Sequence, residues 1–277
     1  MVWKVLHVGA IETALQKNYC RGVLSAMIGG QFSAVVVEKG MAAVASLCEQ
    51  RDDHAEGRRA MFGMTLSAIP LLLEVMRKHR RSEEIVRVSF LAVWYLTRND
   101  DIKRIIGESG GIPLLVEMLE EHGKRNVAVA NFGLNILHNL TTNIKNQRMI
   151  VMEGGIAIIF DIMKAHSASN TGVVEKGCGV LFNLSCNEEN HIVAAGGIPV
   201  ILDFMKLFGP SNAGVAEIGC AVIYNLANDT DNKRKILDAY GVHIVEHMKA
   251  TWSSNEDVQK EANDALGRLQ VCVNQLV

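Results

Sequence analysis

The chain has 277 residues and a mass of 30.3 kDa, a length that fits two compact domains or one elongated array. Apolar residues make up 49% of it, aromatic residues 5% and charged residues 21%, which excludes a disordered chain and disfavours an all-β sandwich. The formal net charge is −2, so the basic field typical of a nucleic-acid-binding domain is absent. We therefore predict an all-α protein with no nucleic-acid partner.

Cysteine usage and hydropathy indicate where the protein works. The six cysteines form no Cys-x-x-Cys pair and lie mostly within apolar helical patterns, which is typical of a reduced intracellular protein. No apolar run reaches the roughly 18 residues of a membrane span, and Lys4, His7 and Glu12 interrupt any signal-peptide core. The sequence predicts a soluble protein of the cytoplasm, and of the nucleus as a second compartment, that does not contact membranes.

A repeat of 42–44 residues organises the chain. Its first anchor is a Gly-Gly-Ile-Pro-like corner, found at Gly9-Ala10-Ile11, Ala68-Ile69-Pro70, Gly110-Gly111-Ile112-Pro113, Gly154-Gly155-Ile156, Gly196-Gly197-Ile198-Pro199 and Gly241-Val242. Its second anchor is the leucine that closes the following helix, at Leu47, Leu96, Leu140, Leu184, Leu226 and Leu269. Two anchors with one period predict six copies in a single array, at about 1–48, 49–97, 98–141, 142–185, 186–227 and 228–277.

Each copy is predicted to contain three helices. In the fifth copy Asn187 is placed to cap a short first helix, and the glycine pair Gly196-Gly197 makes a sharp corner before the second helix. That helix is expected to run to about Phe208, and the third to end near Leu226. The equivalent capping zone of other copies holds Asn99, Asp100, Asn143, Asp229 and Asp231.

The third helix of every copy carries one apolar stripe. The residues seven, four and three positions before the closing leucine are small or apolar in all six copies, and these positions share a helix face with the leucine. We expect this face to be buried, with the small residue where a neighbouring helix approaches closely. Positions −1, −5 and −9 from the leucine are then expected to form the opposite, exposed stripe.

The corner and the third-helix endings His138-Asn139-Leu140, Phe182-Asn183-Leu184 and Tyr224-Asn225-Leu226 resemble the armadillo repeat. HEAT repeats share the period but usually lack this corner. The resemblance covers nearly the whole chain, weakly before Ile69, and implies a right-handed superhelical solenoid of about six repeats. In armadillo proteins the third helices line a concave groove, and the asparagine before the closing leucine holds an extended peptide. The resemblance implies this role for Asn139, Asn183 and Asn225.

The three successive asparagines are the main candidate site. A carboxamide offers one acceptor and two donors, so a ladder of amides can hold a peptide backbone without reading its side chains. The alternative is a structural cap or a solvated helix end. Replacing all three with alanine is expected to lose partners while the melting temperature changes little. The same exposed stripe supplies the other predicted groove residues: Asn131, Asn135, Tyr95, Arg87, Glu175, Glu217 and Arg268.

Several functional alternatives follow from what the stripe lacks. Importin-α-type receptors place a tryptophan four residues before the asparagine, where this chain has Asn135, Gly179 and Ala221. The cations of the exposed stripe are countered by carboxylates, and this charge balance favours a mixed or polar ligand. We predict a non-enzymatic scaffold or adaptor that binds an extended segment of a partner protein. A nuclear-import adaptor fragment is one alternative. A structural subunit that self-associates through its apolar ends is the other.

One motif points to metal chemistry. His243-Ile244-Val245-Glu246-His247 matches the His-x-x-Glu-His signature of inverted zinc proteases, but the repeat register places His247 at an exposed polar position of a second helix. No Walker A or Gly-x-Ser-x-Gly motif occurs. We predict no catalytic residue, no metal and no cofactor.

Overall fold

The computed structural model describes residues 20–30, 33–49, 55–65, 68–167, 170–187 and 189–270. All regular secondary structure in these ranges is helical, which confirms the predicted all-α class. The helices are α1 (Cys20–Gly29), α2 (Ala34–Glu49), α3 (Ala55–Ala60), α4 (Ala68–Lys78), α5 (Glu83–Leu96), α6 (Asp100–Glu108), α7 (Gly111–His122), α8 (Val127–Leu140), α9 (Ile144–Met152), α10 (Gly155–His166), α11 (Thr171–Ser185), α12 (Glu189–Ala194), α13 (Gly197–Phe208), α14 (Ala213–Leu226), α15 (Thr230–Asp238), α16 (Gly241–Thr251) and α17 (Glu256–Gln270). A π-helical turn, Met61–Thr65, joins α3 to α4.

The chain divides into two compact units, Met1–His122 and Gly123–Val277. In the first unit, α2 packs along α5, and α4 contacts α5, α6 and α7. Its largest fully buried side chains include Phe62 and Phe90. The single array of six repeats remains a prediction. The first corner, Gly9-Ala10-Ile11, and the apolar chain ends fall outside the described residues.

The second unit repeats one packing arrangement. Its third helices α8, α11, α14 and α17 lie side by side in chain order, and the second helices α10, α13 and α16 each pack against the third helix of the same repeat. The predicted apolar stripe is confirmed, since Leu140, Leu184, Leu226 and Leu269 are fully buried. The small residue of the stripe is required by packing, because a Cβ on Gly177 would lie 2.4 Å from the Met163 sulfur.

The corners between first and second helices need a left-handed residue. Gly110, Gly154 and Gly196 have φ of 69°, 77° and 74°, values that glycine adopts without the Cβ clash of other residues. The fourth corner uses Tyr240, at φ 59°, as the non-glycine exception.

Asparagine and aspartate side chains begin the helices as predicted. Asn99, Asn143 and Asp229 accept hydrogen bonds from the first-turn amides of α6, α9 and α15. The Asn187 side chain donates to Gln147 Oε1 at 3.0 Å and α12 begins at Glu189, while its predicted capping role stays a prediction. Asn126 and Asn212 cap α8 and α14 in the same way.

Within the described ranges, no single helix has the length and apolar composition to cross a membrane. The bent pair Glu56–Gly63 and Ala68–Lys78 meets those criteria only when its two parts, 73° apart, are taken together.

Candidate functional site

The C-terminal ends of the third helices in the second unit form one row of side chains. Asn139, Asn183, Asn225 and Arg268 stand immediately before the closing leucines of α8, α11, α14 and α17, and all four are half-buried. Because these helices pack in chain order, the four side chains follow one another along the unit. We call these four residues the −1 row.

Two amides of this row, those of Asn183 and Asn225, bind the preceding repeat. Asn183 Nδ2 lies 3.0 Å from Thr141 Oγ1 and 3.4 Å from the His138 carbonyl oxygen, and it donates to both. Asn225 Nδ2 likewise donates to Ser185 Oγ at 2.9 Å and to Cys186 Sγ at 3.6 Å. Each amide therefore fastens the end of its own helix to the end of the helix one repeat earlier.

Arg268 continues the pattern with a different side chain. Its guanidinium lies 3.6 Å from the centroid of the Tyr224 ring, a cation–π contact. It also donates to the Tyr224 carbonyl oxygen at 3.4 Å and to the Tyr224 hydroxyl. The carbonyl that it binds is equivalent to the His138 carbonyl bound by Asn183, two residues before a closing leucine.

These contacts correct two expectations about the asparagines. The amide nitrogens of Asn183 and Asn225 each have two acceptors within the chain, so Oδ1 is the remaining hydrogen-bonding atom of each side chain. They are not caps of their own helices, as the structural alternative had it, but bonds between repeats. Their loss is therefore expected to lower the melting temperature, contrary to the expectation from the sequence.

Aromatic rings accompany the −1 row, and the sequence reasoning missed them as candidate contacts. His138, Phe182 and Tyr224 each precede the asparagine of their helix. His138 is exposed, Phe182 is 37% exposed and Tyr224 is half-buried. The signal was present in the motif, because all three copies place a ring before Asn-Leu.

A small cavity lies beside the row, between α8 and α11. It has a volume of about 210 Å³, and its lining includes Asn135, His138, Glu175 and Gly179. Glycine at this position leaves the space open: a Cβ there would approach His138 Cδ2 at 3.3 Å. Asn135 reaches the cavity, but its amide donates to the Asn131 carbonyl one turn earlier. Asn131 itself is half-buried on α8.

Carboxylates give the α11–α14–α17 side of the row a negative charge. Burial raises the pKa of Glu217, and the nearby charges of Asp257, Glu261 and Glu175 raise it further. Glu175 is exposed and accepts from Asn212 Nδ2 at 3.3 Å. Lys260 is engaged by Glu261 at 2.7 Å. A cationic ligand group beside Glu217 would relieve this repulsion.

Two predicted groove residues of the first unit do not offer a free surface. Tyr95 is only 8% exposed, contrary to the prediction, and its ring stacks on Trp94 with centroids 5.0 Å apart. Arg98 lies over both rings. The physical reason is that aromatic rings at adjacent positions bury each other. Arg87 Nε donates to Glu84 at 2.9 Å, so its charge is neutralised within α5.

A second set of bonds between repeats joins the ends of the second helices. His166 Nε2 donates to the Gly123 carbonyl oxygen at 2.7 Å, 43 residues earlier, and Trp252 Nε1 donates to the Gly209 carbonyl oxygen at 2.7 Å, also 43 residues earlier. In the first unit His122 Nε2 donates to the Arg80 carbonyl oxygen in the same register. A ring N–H thus closes the equivalent loop in three repeats.

The zinc-like motif is exposed on α16. His243 Nδ1 lies 3.6 Å from Glu246, and both side chains are more than half exposed. Over the described parts of the chain, no group of three or more histidine, cysteine, aspartate or glutamate side chains is arranged to hold a metal ion.

Comparisons with known proteins define the fold. No family model and no curated protein matches the sequence. Among solved structures, an engineered protein is similar with a TM-score of 0.74 at 18% identity, covering 91% of this chain and 96% of its own. A designed armadillo repeat protein in complex with the peptide (KR)4 is similar with a TM-score of 0.71 at 17% identity, covering 89% and 99%. Computationally designed armadillo repeat proteins for modular peptide recognition are similar with a TM-score of 0.74 at 16% identity, covering 89% and 98%.

The chain therefore has the helix-triplet solenoid fold of armadillo repeat proteins, as the sequence predicted. Its neighbours in structure include a designed armadillo repeat protein solved with the peptide (KR)4 and others designed for modular peptide recognition.

Proposed function

We propose that the protein is a non-enzymatic scaffold, working in the cytoplasm and the nucleus, that binds an extended peptide segment of a partner protein along the −1 row of its second unit. The observation that carries the proposal is the pair of Oδ1 atoms on Asn183 and Asn225. Their amide nitrogens are bound to the preceding repeat, so the oxygens are held at fixed positions one repeat apart.

An extended backbone supplies what this row needs. Its N–H groups point sideways at regular intervals and can donate to successive Oδ1 acceptors. Because the acceptors are fixed before binding, little side-chain entropy is lost when the peptide arrives. His138 and Phe182 then provide faces for the apolar parts of the peptide side chains.

The carboxylates define the preferred charge of the peptide. Glu217 and Glu175 lie on α14 and α11 beside the row, and the raised pKa of Glu217 reflects burial and neighbouring negative charge. A lysine or arginine side chain is therefore favoured there. The similar designed protein that was solved with (KR)4 supports this choice of ligand class.

The test is the binding of a fluorescent (KR)4 peptide to the full chain, measured by anisotropy. The double variant Asn183→Ala/Asn225→Ala removes the acceptors together with the bonds between repeats. The matched variant Thr141→Val/Ser185→Ala removes the hydroxyl partners of the same bonds but keeps both asparagines. We expect the first to weaken binding at least tenfold and the second less than threefold, about 1.4 kcal/mol against less than 0.7 kcal/mol.

Three outcomes would count against the proposal. Equal losses in both double variants would show that the asparagines act only through the bonds between repeats. Undiminished binding in Asn183→Ala/Asn225→Ala, or no binding of (KR)4 to the wild type, would place ligand recognition elsewhere.

A further inference from the structure

A second cavity lies away from the −1 row, on the second helices of the last two repeats. It has a volume of about 490 Å³ and opens where α13 meets the corner between α15 and α16. Pro199, Leu202 and Ile244 contribute its apolar surface. The volume is within the range of ligand pockets, and none of the −1 row residues lines it.

One wall of this cavity is a strained tyrosine. Tyr240 occupies the left-handed corner position that glycine holds in three other repeats, at φ 59°, where a Cβ costs free energy. Its ring is 72% exposed, so burial returns little of that cost. The ring stacks on His243, with centroids 6.4 Å apart and planes 28° apart. Glycine at this position would make the folded chain more stable. We therefore infer that the Tyr240 ring serves to contact a binding partner.

The rim of the cavity combines cationic and acceptor groups. Asp203 and Lys206 stand one turn apart on α13, and His247 faces them from α16. Within the described ranges none of these three side chains makes a hydrogen bond or an ion pair. Lys206 and His247 are complementary to a carboxylate, while Asp203 is an acceptor for an N–H group.

We propose that this cavity is a second protein-binding site, which takes an aromatic side chain of a partner with an acidic residue next to it. The aromatic ring packs on Leu202 and Ile244 against the Tyr240–His243 wall, and the carboxylate binds Lys206. Buried aromatic anchors dominate the energy of such contacts.

The surface beyond the cavity favours a peptide over a small molecule as the occupant. Leu207 follows Asp203 by four residues, so it lies one turn further along the same face of α13, and it is 68% exposed. An occupant that covers both Tyr240 and Leu207 must extend past the cavity mouth. A peptide segment does so, whereas a ligand confined to the cavity does not.

A displayed library of short peptides, selected against the full chain, tests the proposal. Selected peptides are then measured against Tyr240→Gly, Lys206→Glu and the control Lys164→Glu. The control lysine is the exposed equivalent of Lys206 one repeat earlier, ten residues into α10. We expect peptides with an aromatic residue beside an aspartate or glutamate, a loss of at least tenfold in Tyr240→Gly and in Lys206→Glu, and little change in the control. Tyr240→Gly should melt at a higher temperature than the wild type, so its loss of binding cannot come from unfolding.

The other outcomes overturn the proposal. Peptides that bind Tyr240→Gly as well as they bind the wild type do not use the cavity. Peptides that depend on Asn183 and Asn225 instead occupy the −1 row. Selection of no peptide, together with saturable binding of indole-3-acetate that needs Tyr240, would assign the cavity to a small aromatic acid.

Discussion

The side chain of Asn183 donates a hydrogen bond to the hydroxyl of Thr141, 42 residues earlier, at 3.0 Å. The Thr141 hydroxyl in turn donates to the His138 carbonyl oxygen at 2.8 Å, which extends the hydrogen-bond chain. Two helix ends from consecutive repeats are therefore joined by side chains at a point where helix carbonyls lack partners within their own helix. In the proposed binding mode, the residue whose oxygen meets the ligand also joins the two repeats.

This bond should be measurable as a coupling energy. Asn183→Ala and Thr141→Val are each expected to cost about 1 kcal/mol of unfolding free energy, and the double variant less than their sum, by about 0.5–1.5 kcal/mol. Denaturant unfolding measures all three. Thr142→Val is the control, since Thr142 is exposed and its hydroxyl donates to the Asn139 carbonyl of its own helix at 2.8 Å. Additive costs would show that Asn183 and Thr141 do not interact.

Backbone strain can be separated from packing at the corner glycines. A Cβ on Gly196 meets no atom within 4 Å, yet its φ is 74°, so Gly196→Ala should cost about 1–2 kcal/mol through the backbone alone. Gly267 also has open space around it but lies in the last turns of α17. There alanine should stabilise by about 0.5–1 kcal/mol. Thermal or denaturant unfolding of both variants checks the opposite signs; a stabilising Gly196→Ala would contradict the left-handed corner.

The stability of the second unit should depend on the charge of Glu217. Burial and neighbouring carboxylates raise its pKa above the ordinary value of 4.5, whereas the unfolded chain keeps that ordinary pKa. The folded state therefore holds the proton longer, and stability falls as the pH rises from the unfolded pKa through the folded pKa. Above that window the penalty is complete.

Glu217→Gln tests this dependence. The variant should melt at a higher temperature than the wild type at pH 7, and the difference should shrink below the unfolded pKa, where both states are protonated. Glu153→Gln removes the same charge from an exposed position at the end of α9 and should change little. A melting temperature that is lower in Glu217→Gln across the whole pH range would refute the repulsion.

Cysteine reactivity should differ sharply along the chain. Burial raises the pKa of Cys48, Cys178 and Cys220 to about 12, which leaves almost no reactive thiolate at pH 8. Cys186 is exposed and lies 3.6 Å from the Asn225 amide nitrogen.

Brief treatment with iodoacetamide at pH 8, followed by peptide mass mapping, should therefore modify Cys186 well before these three. The resulting adduct should also weaken (KR)4 binding, because it sits beside the −1 row. Cys186→Ser is the control, and its binding should be indifferent to the reagent. Equal modification of Cys178 would contradict the burial described for it.

The fold could be predicted because its determinants recur within the sequence. The closing leucine and the small residue at −7 repeat with the corner in one period, so each copy tests the register of the others. Caps such as Asn143 depend only on local backbone and were found for the same reason. The left-handed conformation of Tyr240 could not be predicted, since tyrosine rarely adopts it. Only its alignment with Gly154 in the repeat points to that conformation.

The positions of the candidate asparagines on their helices could be predicted from the sequence, but their contacts could not. The sequence places Asn183 and Asn225 correctly at the ends of third helices, yet a periodicity argument treats each helix separately. Whether an amide is free depends on what the preceding repeat holds nearby, here the hydroxyl of Thr141 or Ser185. The prediction that Tyr95 is exposed was wrong for a related reason, because its position on the helix does not show that the neighbouring Trp94 ring covers it.

In the proposed binding mode, the bonds from the Asn183 amide nitrogen to the preceding repeat leave the ligand only the Oδ1 acceptor at that position. An acceptor needs an N–H group on the ligand backbone. A proline or an N-methylated residue opposite Asn183 has no N–H to donate, so Oδ1 would lose its water without gaining a hydrogen bond. A segment with such a residue at that position would therefore be excluded, whatever its side chains.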